Sequence, residues 1–371
     1  MKSFLTLFLL FTLLFFSSCT FQTSFFKEMN TQYKRKNLII SPLSAYQVLG
    51  LTANGANNNS LNQMLLALGN ENLEELNKIN IEIVNIIKQF TTIELANAIM
   101  TTFTPKEAFL EISSKYESTI EPLKSVTQVN NWCNLKTHGK IQKIMENLDP
   151  NTVIVLLNAI YFKGTWLKEF QENATSTRSF YNFNDESNIT NVEMMSIKDY
   201  FNYYEDNEIQ IVELPYTKDS MSAIIILPNK EININEFISG LENDSIQRYI
   251  KKMNNKIVQL QLPKFELEFS SLLNDVLKRM GMVEPFDPNL ADLTGLEDFN
   301  DIYISRVIQK TYLKVDEKGS EAAGATVVEV TTRSLPIIHN MNVDRPFLFM
   351  LRNKNLPTNY EMIFMAKIEN L

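Results

Sequence analysis

Apolar positions recur with a helical period early in the chain, and alternate or run continuously later. Ser41-Pro42 followed by Leu43, Tyr46, Leu49 and Gly50 marks a capped, amphipathic helix start. A second helical pattern covers about Leu73 to Phe90. Val153 to Phe162, VIVLLNAIYF, is apolar at nearly every position except Asn158, as a strand buried on both faces would be. Ile209 to Tyr216 and Met221 to Leu227 predict two strands joined by the polar turn Thr217-Lys218-Asp219-Ser220. Val258 to Phe269 alternates as a strand, after which Ser270 or Ser271 is expected to cap a helix ending near Gly281. Phe347 to Leu351 and Met362 to Ile368 predict a terminal hairpin of buried strands. Helices early and strands late give the α+β class rather than regular βαβ winding. No internal repeat or low-complexity linker divides the chain, so one domain is expected.

The segment from Asp316 to Leu335, DEKGSEAAGATVVEVTTRSL, fits neither pattern cleanly. Side chains of a strand alternate between faces. One row, Ser320, Ala322, Gly324, Thr326, Val328, Val330 and Thr332, is uncharged, starts with small residues and suits a packed core. The other, Glu321, Ala323, Ala325, Val327, Glu329, Thr331 and Arg333, suits solvent. No proline interrupts it before Pro336, so its amides are free to join a ladder. Gly319, Gly324 and the alanines are nevertheless weak strand formers. The segment reads as a strand that orders conditionally, with an ordinary flexible surface loop as the alternative from these residues by themselves.

Composition narrows the function. At 371 residues and 44% hydrophobic, the chain holds ample core for one large domain or two medium ones. A net charge of −8 argues against nucleic acid, whose affinity comes from neutralising phosphates. No basic run exceeds Lys34-Arg35-Lys36, so no heparin-like site is expected either. Lys2, the apolar stretch Phe4 to Phe16 and the small residues Ser17, Ser18 and Cys19 form a signal peptide over residues 1–19. The stretch is short for a spanning helix, which leaves an uncleaved anchor as the weaker alternative. Phe16-Ser17-Ser18-Cys19 also resembles a lipoprotein box, in which Cys19 would carry the lipid and tether the protein. Once Cys19 leaves with a cleaved signal, Cys133 is the one remaining thiol and no internal disulfide can form. Asn58, Asn173, Asn188 and Asn243 begin Asn-x-Ser/Thr sequons, which are glycosylated in a eukaryotic secretory pathway. A secreted glycoprotein is the expectation.

Catalytic chemistry is sparse. His138 and His339 are the only histidines, and there is no nucleophile elbow, phosphate-cradling loop or dinucleotide fingerprint. Cys133 and His138 lie on an expected helix and its exit, a spacing that favours a packed thiol and a surface ring over a reactive pair. No enzyme, cofactor or metal site is expected.

Several blocks, in order, resemble the serpin family from about Phe21 to Leu371. They are Asn37-Leu-Ile-Ile-Ser-Pro-Leu-Ser44, Asn131-Trp-Cys with Thr137-His-Gly-Lys-Ile141, Leu157-Asn-Ala-Ile-Tyr-Phe-Lys-Gly-Thr-Trp166, Val343-Asp-Arg-Pro-Phe-Leu-Phe349 and Phe364-Met-Ala-Lys367. The most specific is Val315-Asp-Glu-Lys-Gly-Ser-Glu-Ala-Ala-Gly-Ala-Thr326, which resembles the hinge of the family's reactive-centre loop. The resemblance implies a serpin fold over residues 21–371: helices around a large central β-sheet, two smaller sheets, and an exposed loop at about 317–341. It implies a hinge of Glu317, Gly319, Ser320, Glu321, Ala322, Ala323, Gly324, Ala325 and Thr326. Sixteen positions beyond the hinge glutamate, where inhibitory members are cut, stands Arg333, followed by Ser334, with Thr332 and Thr331 in adjoining subsites.

The implied function is suicide inhibition of a trypsin-like serine protease, as a monomer forming a covalent 1:1 complex. Cleavage at Arg333-Ser334 would release the segment to enter the central sheet, where fourteen residues from Ser320 to Arg333 span about 45 Å. The resemblance also implies a polar shutter of Ser41, Ser44, Asn158 and Gln309, the last where the family usually has histidine, and a breach tryptophan, Trp166. Ala366 stands where the last strand commonly has glycine. A non-inhibitory binding or chaperone serpin and a cross-class inhibitor of cysteine proteases are the alternatives.

Overall fold

Ser41 starts its helix as the sequence predicts: Oγ accepts from the Ser44 amide at 3.3 Å and Pro42 takes the first turn. The helix, Pro42–Ala53, differs from expectation in one respect, because every residue in it is buried. A helix enclosed on all sides belongs to the centre of a fold, not to its surface. Gly50 permits the closeness: a Cβ there would sit 2.7 Å from the Asn80 amide of the helix Leu73–Ile87. That second helix is capped by Asn72 and stops at Ile87, one turn short of the expected Phe90.

A computed structural model describes residues 20–242, 244–299, 301–320 and 337–371, without the side chain of Ser320. Its five-stranded sheet runs Phe265–Leu272, Ile304–Val315, Ile154–Phe162, Ile93–Thr101 and Thr119–Pro122 across its width. Ile154–Phe162 is buried at all nine positions because the sheet is covered twice. Leu156, Ile160, Val307 and Leu313 join the main core with the helix Pro42–Ala53. Val155, Leu157, Ala159 and Ile308 meet Val129, Trp132 and Cys133 of the helix Val126–Lys136 on the opposite face.

The remaining large sheet has nine strands. The resemblance implied two smaller sheets; here they join through the 17-residue strand Ile189–Glu205. Its start pairs with Ser176–Tyr181, its middle with Asn254–Pro263 and its last residues with Ile209–Pro215. The expected terminal hairpin is present as Phe347–Asn353 and Met362–Ile368.

The single strand expected over Val258 to Phe269 is two strands in different sheets. Asn254–Pro263 belongs to the nine-stranded sheet, and Phe265–Leu272 is the edge of the five-stranded one. Pro263 lacks an amide donor and ends the first ladder, while Lys264 gives its amide to Glu193 at 2.8 Å. Neither Ser270 nor Ser271 caps the next helix, Asn274–Arg279, which has no side-chain cap. Its start is fixed by Asn274, whose side chain bonds the Ser305 carbonyl and the Val307 amide at 2.9 Å each.

Candidate functional site: the hinge and the central seam

Ile154–Phe162 and Ile304–Val315 run parallel through seven paired positions, whereas their outer neighbours Ile93–Thr101 and Phe265–Leu272 pair antiparallel. A parallel pair is the less stable per residue. At its middle the sheet carries a row of polar side chains in register: Asn97 opposite Asn158, Asn158 opposite Gln309, Gln309 opposite Ser271. All four are buried.

Gln309 closes the seam. Its Nε2 donates to Asn158 Oδ1 at 2.8 Å and to the Ser41 carbonyl at 2.9 Å, and its Oε1 accepts from the Ser41 amide at 3.0 Å. Ser44 Oγ donates to Asn97 Oδ1 at 3.1 Å, and Asn158 Nδ2 donates to both Ser44 Oγ and Asn97 Oδ1. The structure thus brings together Ser41, Ser44, Asn158 and Gln309, and adds Asn97, which the sequence reading missed. The available signal was the same as for Asn158, a lone amide inside a buried apolar strand. Ser271 Oγ ends the row without a partner among the described residues.

At one end of the seam lie the described residues of the expected hinge, Glu317, Gly319 and the backbone of Ser320. Asp316 and Gly319 form a tight bridge, and Gly319–Ser320 then pairs antiparallel with Gly164–Thr165, just past the end of Ile154–Phe162. Gly319 has φ of +136°, and a Cβ there would lie 2.1 Å from the Gly164 carbonyl oxygen, so no other residue fits. Trp166, 1% exposed, donates from Nε1 to the Asp316 carbonyl at 3.0 Å and stacks on Tyr216 with centroids 4.3 Å apart. Glu317 accepts from Thr175 Oγ1 at 2.7 Å and faces Lys264 Nζ at 3.3 Å, while its carbonyl accepts from the Phe170 amide. Burial pushes the Glu317 carboxyl pKa up, but the hydrogen bonds from Thr175 and Lys264 outweigh it and hold the carboxyl below its usual range.

The other expected residues divide as follows. Glu321, Ala322, Ala323, Gly324, Ala325, Thr326, Thr331, Thr332, Arg333 and Ser334 lie outside the described residues, as do residues 1–19 with Cys19, and Asn243. Of the other sequons, Asn58, Asn173 and Asn188 are exposed, and Asn58 Nδ2 is bonded to Asp292 at 2.6 Å. Cys133 and His138 do not meet as a reactive pair. Burial pushes the Cys133 thiol up to about 12, and exposed His138 faces Glu94 at 2.8 Å.

The family model for "Serpin (serine protease inhibitor)" matches residues 17–371. The chain belongs to the serpin family. A serpin-like protein of Methanosarcina acetivorans is 32% identical over 90% of this chain and 81% of its own length. Antithrombin-III of Ovis aries is 30% identical over 94% of this chain and 80% of its own. The native-state crystal structure of the thermophilic serpin tengpin superposes with a TM-score of 0.87 at 31% identity, covering 96% of this chain and 94% of that one. The polar row and hinge of this serpin are therefore set in a frame shared with a solved native structure.

Two outcomes test the site. Gln309→Leu orphans the Ser41 amide and Asn158 Oδ1, at roughly 1–3 kcal/mol each. We expect its thermal midpoint to fall by several degrees, and a melt matching wild type would refute the clamp. Glu317→Lys sets two cations face to face and should also destabilise the fold, whereas adding Lys264→Glu should restore a substantial part of the loss by denaturant unfolding. No recovery in the double variant would show that the pair does not lock the hinge. The carboxyl is held below its unfolded pKa of about 4.3, so this stabilisation is full at neutral pH and is lost as pH falls through the lower folded value.

Proposed function

We propose that this serpin is an exported, single-use inhibitor of a trypsin-like serine protease, cut at Arg333-Ser334. The observation that supports the reading is where the hinge points. Gly319–Ser320 already extends the end of Ile154–Phe162 in antiparallel register, directly over the parallel seam. A strand continuing from there runs antiparallel to both walls of the seam. Six residues beyond Ser320 is Thr326, and six residues before Gly164 is Asn158. Seven residues beyond Gly319 is Thr326 again, and seven before Asp316 is Gln309. Both registers bring Thr326 between Asn158 and Gln309, which are themselves paired.

Insertion in that register replaces one parallel ladder with two antiparallel ones and breaks the Gln309–Asn158 hydrogen bond. The row from Ser320 through Thr332 then shares a face with Leu156, Asn158 and Ile160 and enters the main core. The row from Glu321 through Arg333 shares the face of Val155, Leu157 and Ala159, which the helix Val126–Lys136 covers. Alternation assigned that second row to solvent; along the seam it runs beneath the helix, which has to lift as the strand passes.

The chemistry before insertion is the protease's own. Its serine attacks the Arg333 carbonyl, the peptide bond breaks, the Ser334 amine leaves with the C-terminal piece, and an acyl-enzyme remains. Arg333 fits a primary pocket closed by a carboxylate. Insertion then carries the acylated protease away before water releases it, a strand-addition mode of which serpin loop insertion is itself a standard example. Among the family, a binding or chaperone role and inhibition of cysteine proteases are the other readings.

Incubation with trypsin should give an SDS-stable complex and a released peptide that begins at Ser334 by mass spectrometry. Clean cleavage with no complex would favour the non-inhibitory reading, and a complex with a papain-like enzyme alone would favour the cross-class one. Arg333→Ala should abolish trypsin inhibition. Ser320→Arg should turn the inhibitor into a substrate, because the position opposite residue 320 is crowded: a Cβ on Gly164 would lie 2.6 Å from the Phe162 ring and 2.7 Å from Tyr216. Unchanged complex formation by that variant would refute the register.

A further inference from the structure

Ser271 ends the buried polar row at 3% exposure, and its Oγ has no partner among the described residues. It lies directly opposite Gln309 across the antiparallel pair Phe265–Leu272 and Ile304–Val315, so the two side chains share a face of the sheet. Gln309 nevertheless has no hydrogen to give it. A carboxamide carries two donors, and Nε2 directs them to Asn158 Oδ1 and the Ser41 carbonyl. A buried hydroxyl without a partner is rare in native folds, because it destabilises the state that holds it.

The partners of Gln309 divide according to which wall of the seam they belong to. Phe265–Leu272 pairs with Ile304–Val315 at eight positions, and Asn274 ties the following helix to the Ser305 carbonyl and the Val307 amide. Ser271 therefore travels with Gln309. Thr311 Oγ1 donates to the Ile39 carbonyl at 2.8 Å, which holds the approach to Ser41 on the same side. Asn158 stands on the opposite wall, on Ile154–Phe162. Parting of the two walls frees one Nε2 hydrogen of Gln309 beside a hydroxyl oxygen that is itself without a donor.

We propose that Ser271 is a positioning residue for opening of the seam: as Asn158 withdraws, Gln309 Nε2 turns to Ser271 Oγ. The closed sheet holds an unpaired hydroxyl and the open wall does not, and that difference eases opening. Among the described residues, no bond of the closed sheet depends on the hydroxyl, so its role lies in the open state. A serine that merely fills space beside Gln309 would act on opening independently of Gln309, or not at all. That easier opening favours trapping over turnover rests on the inhibitory reading, whereas the exchange of partners does not.

The test is hydrogen exchange, read by mass spectrometry on the intact, uncleaved protein at the amides that join Ile154–Phe162 to Ile304–Val315. Ser271→Ala should slow their exchange about five-fold or more, with a thermal midpoint equal to or above that of wild type. The effect should run through Gln309. In a Gln309→Met background, which keeps the side chain's length without a donor, adding Ser271→Ala should leave exchange unchanged. Thermal melts confirm that each variant is folded. Exchange in Ser271→Ala equal to or faster than wild type overturns the proposal, as does a lowered midpoint, or slowing that persists in the Gln309→Met background. No protease is present, so the result stands apart from whether the protein traps trypsin. Slowed exchange together with clean cleavage by trypsin would keep the partner exchange and remove the inhibitory reading.

Discussion

The structure depends on how two amides are satisfied inside an apolar sheet. Asn158 interrupts a strand otherwise made of apolar residues, and Gln309 occupies the matching position on the strand beside it. Each would cost free energy if left dry. They meet only in the observed register, because a slip by one residue would turn one of them to the opposite face of the sheet. The same contacts that relieve this cost also hold the Ser41 backbone and therefore the start of the enclosed helix. Register, helix position and closure of the seam are thus one constraint.

Closure at the middle is matched by closure at the end. Gly319 lets its backbone approach that of Gly164 so closely that a side chain is excluded, Gly164 leaves room for the Phe162 and Tyr216 rings, and Trp166 covers the turn while Glu317 ties it to Lys264 and Thr175. Neither fastening adds apolar burial along the seam itself. The middle consists of a few hydrogen bonds and the end of hydrogen bonds with one ion pair, each worth about 0.5–3 kcal/mol net. Under the proposed insertion, fastenings of that size would yield to the larger gain from a whole new strand.

The parts of this arrangement legible in sequence are those with local signals. Ser41-Pro42 announces a helix start, and VIVLLNAIYF announces a doubly buried strand. Asn97 was missed because ELANAIM carries no signal beyond one amide; register with Asn158 reveals its role. Lys264 was missed because its partner Glu317 is distant in sequence, and the two meet only where the paired strands Phe265–Leu272 and Ile304–Val315 end side by side. The break at Pro263 did leave a signal, because the apolar row Val258, Leu260 and Leu262 slips by one residue to Phe265, Leu267 and Phe269, but a single alternating strand was read across it. The helix Pro42–Ala53 looked amphipathic because Ser44, Gln47 and Thr52 are polar. All three are buried instead: Ser44 in the polar row, Thr52 donating to the Val48 carbonyl at 2.7 Å, and Gln47 at 4% exposure.

Glutamine at position 309 gives the two fastenings different chemistry. An imidazole in that place would gain a proton near neutrality, so the middle of the seam would change its hydrogen bonding with pH. The carboxamide of Gln309 keeps the same donors and acceptor throughout. Glu317 does titrate, and its held-down pKa confines the loss of the Lys264 and Thr175 contacts to acid conditions. As pH falls, therefore, the contacts at the end of the seam weaken while the middle stays bonded, and under the proposed insertion the seam would open from Gly319–Ser320 inward. That is the direction in which a strand continuing from Ser320 would enter.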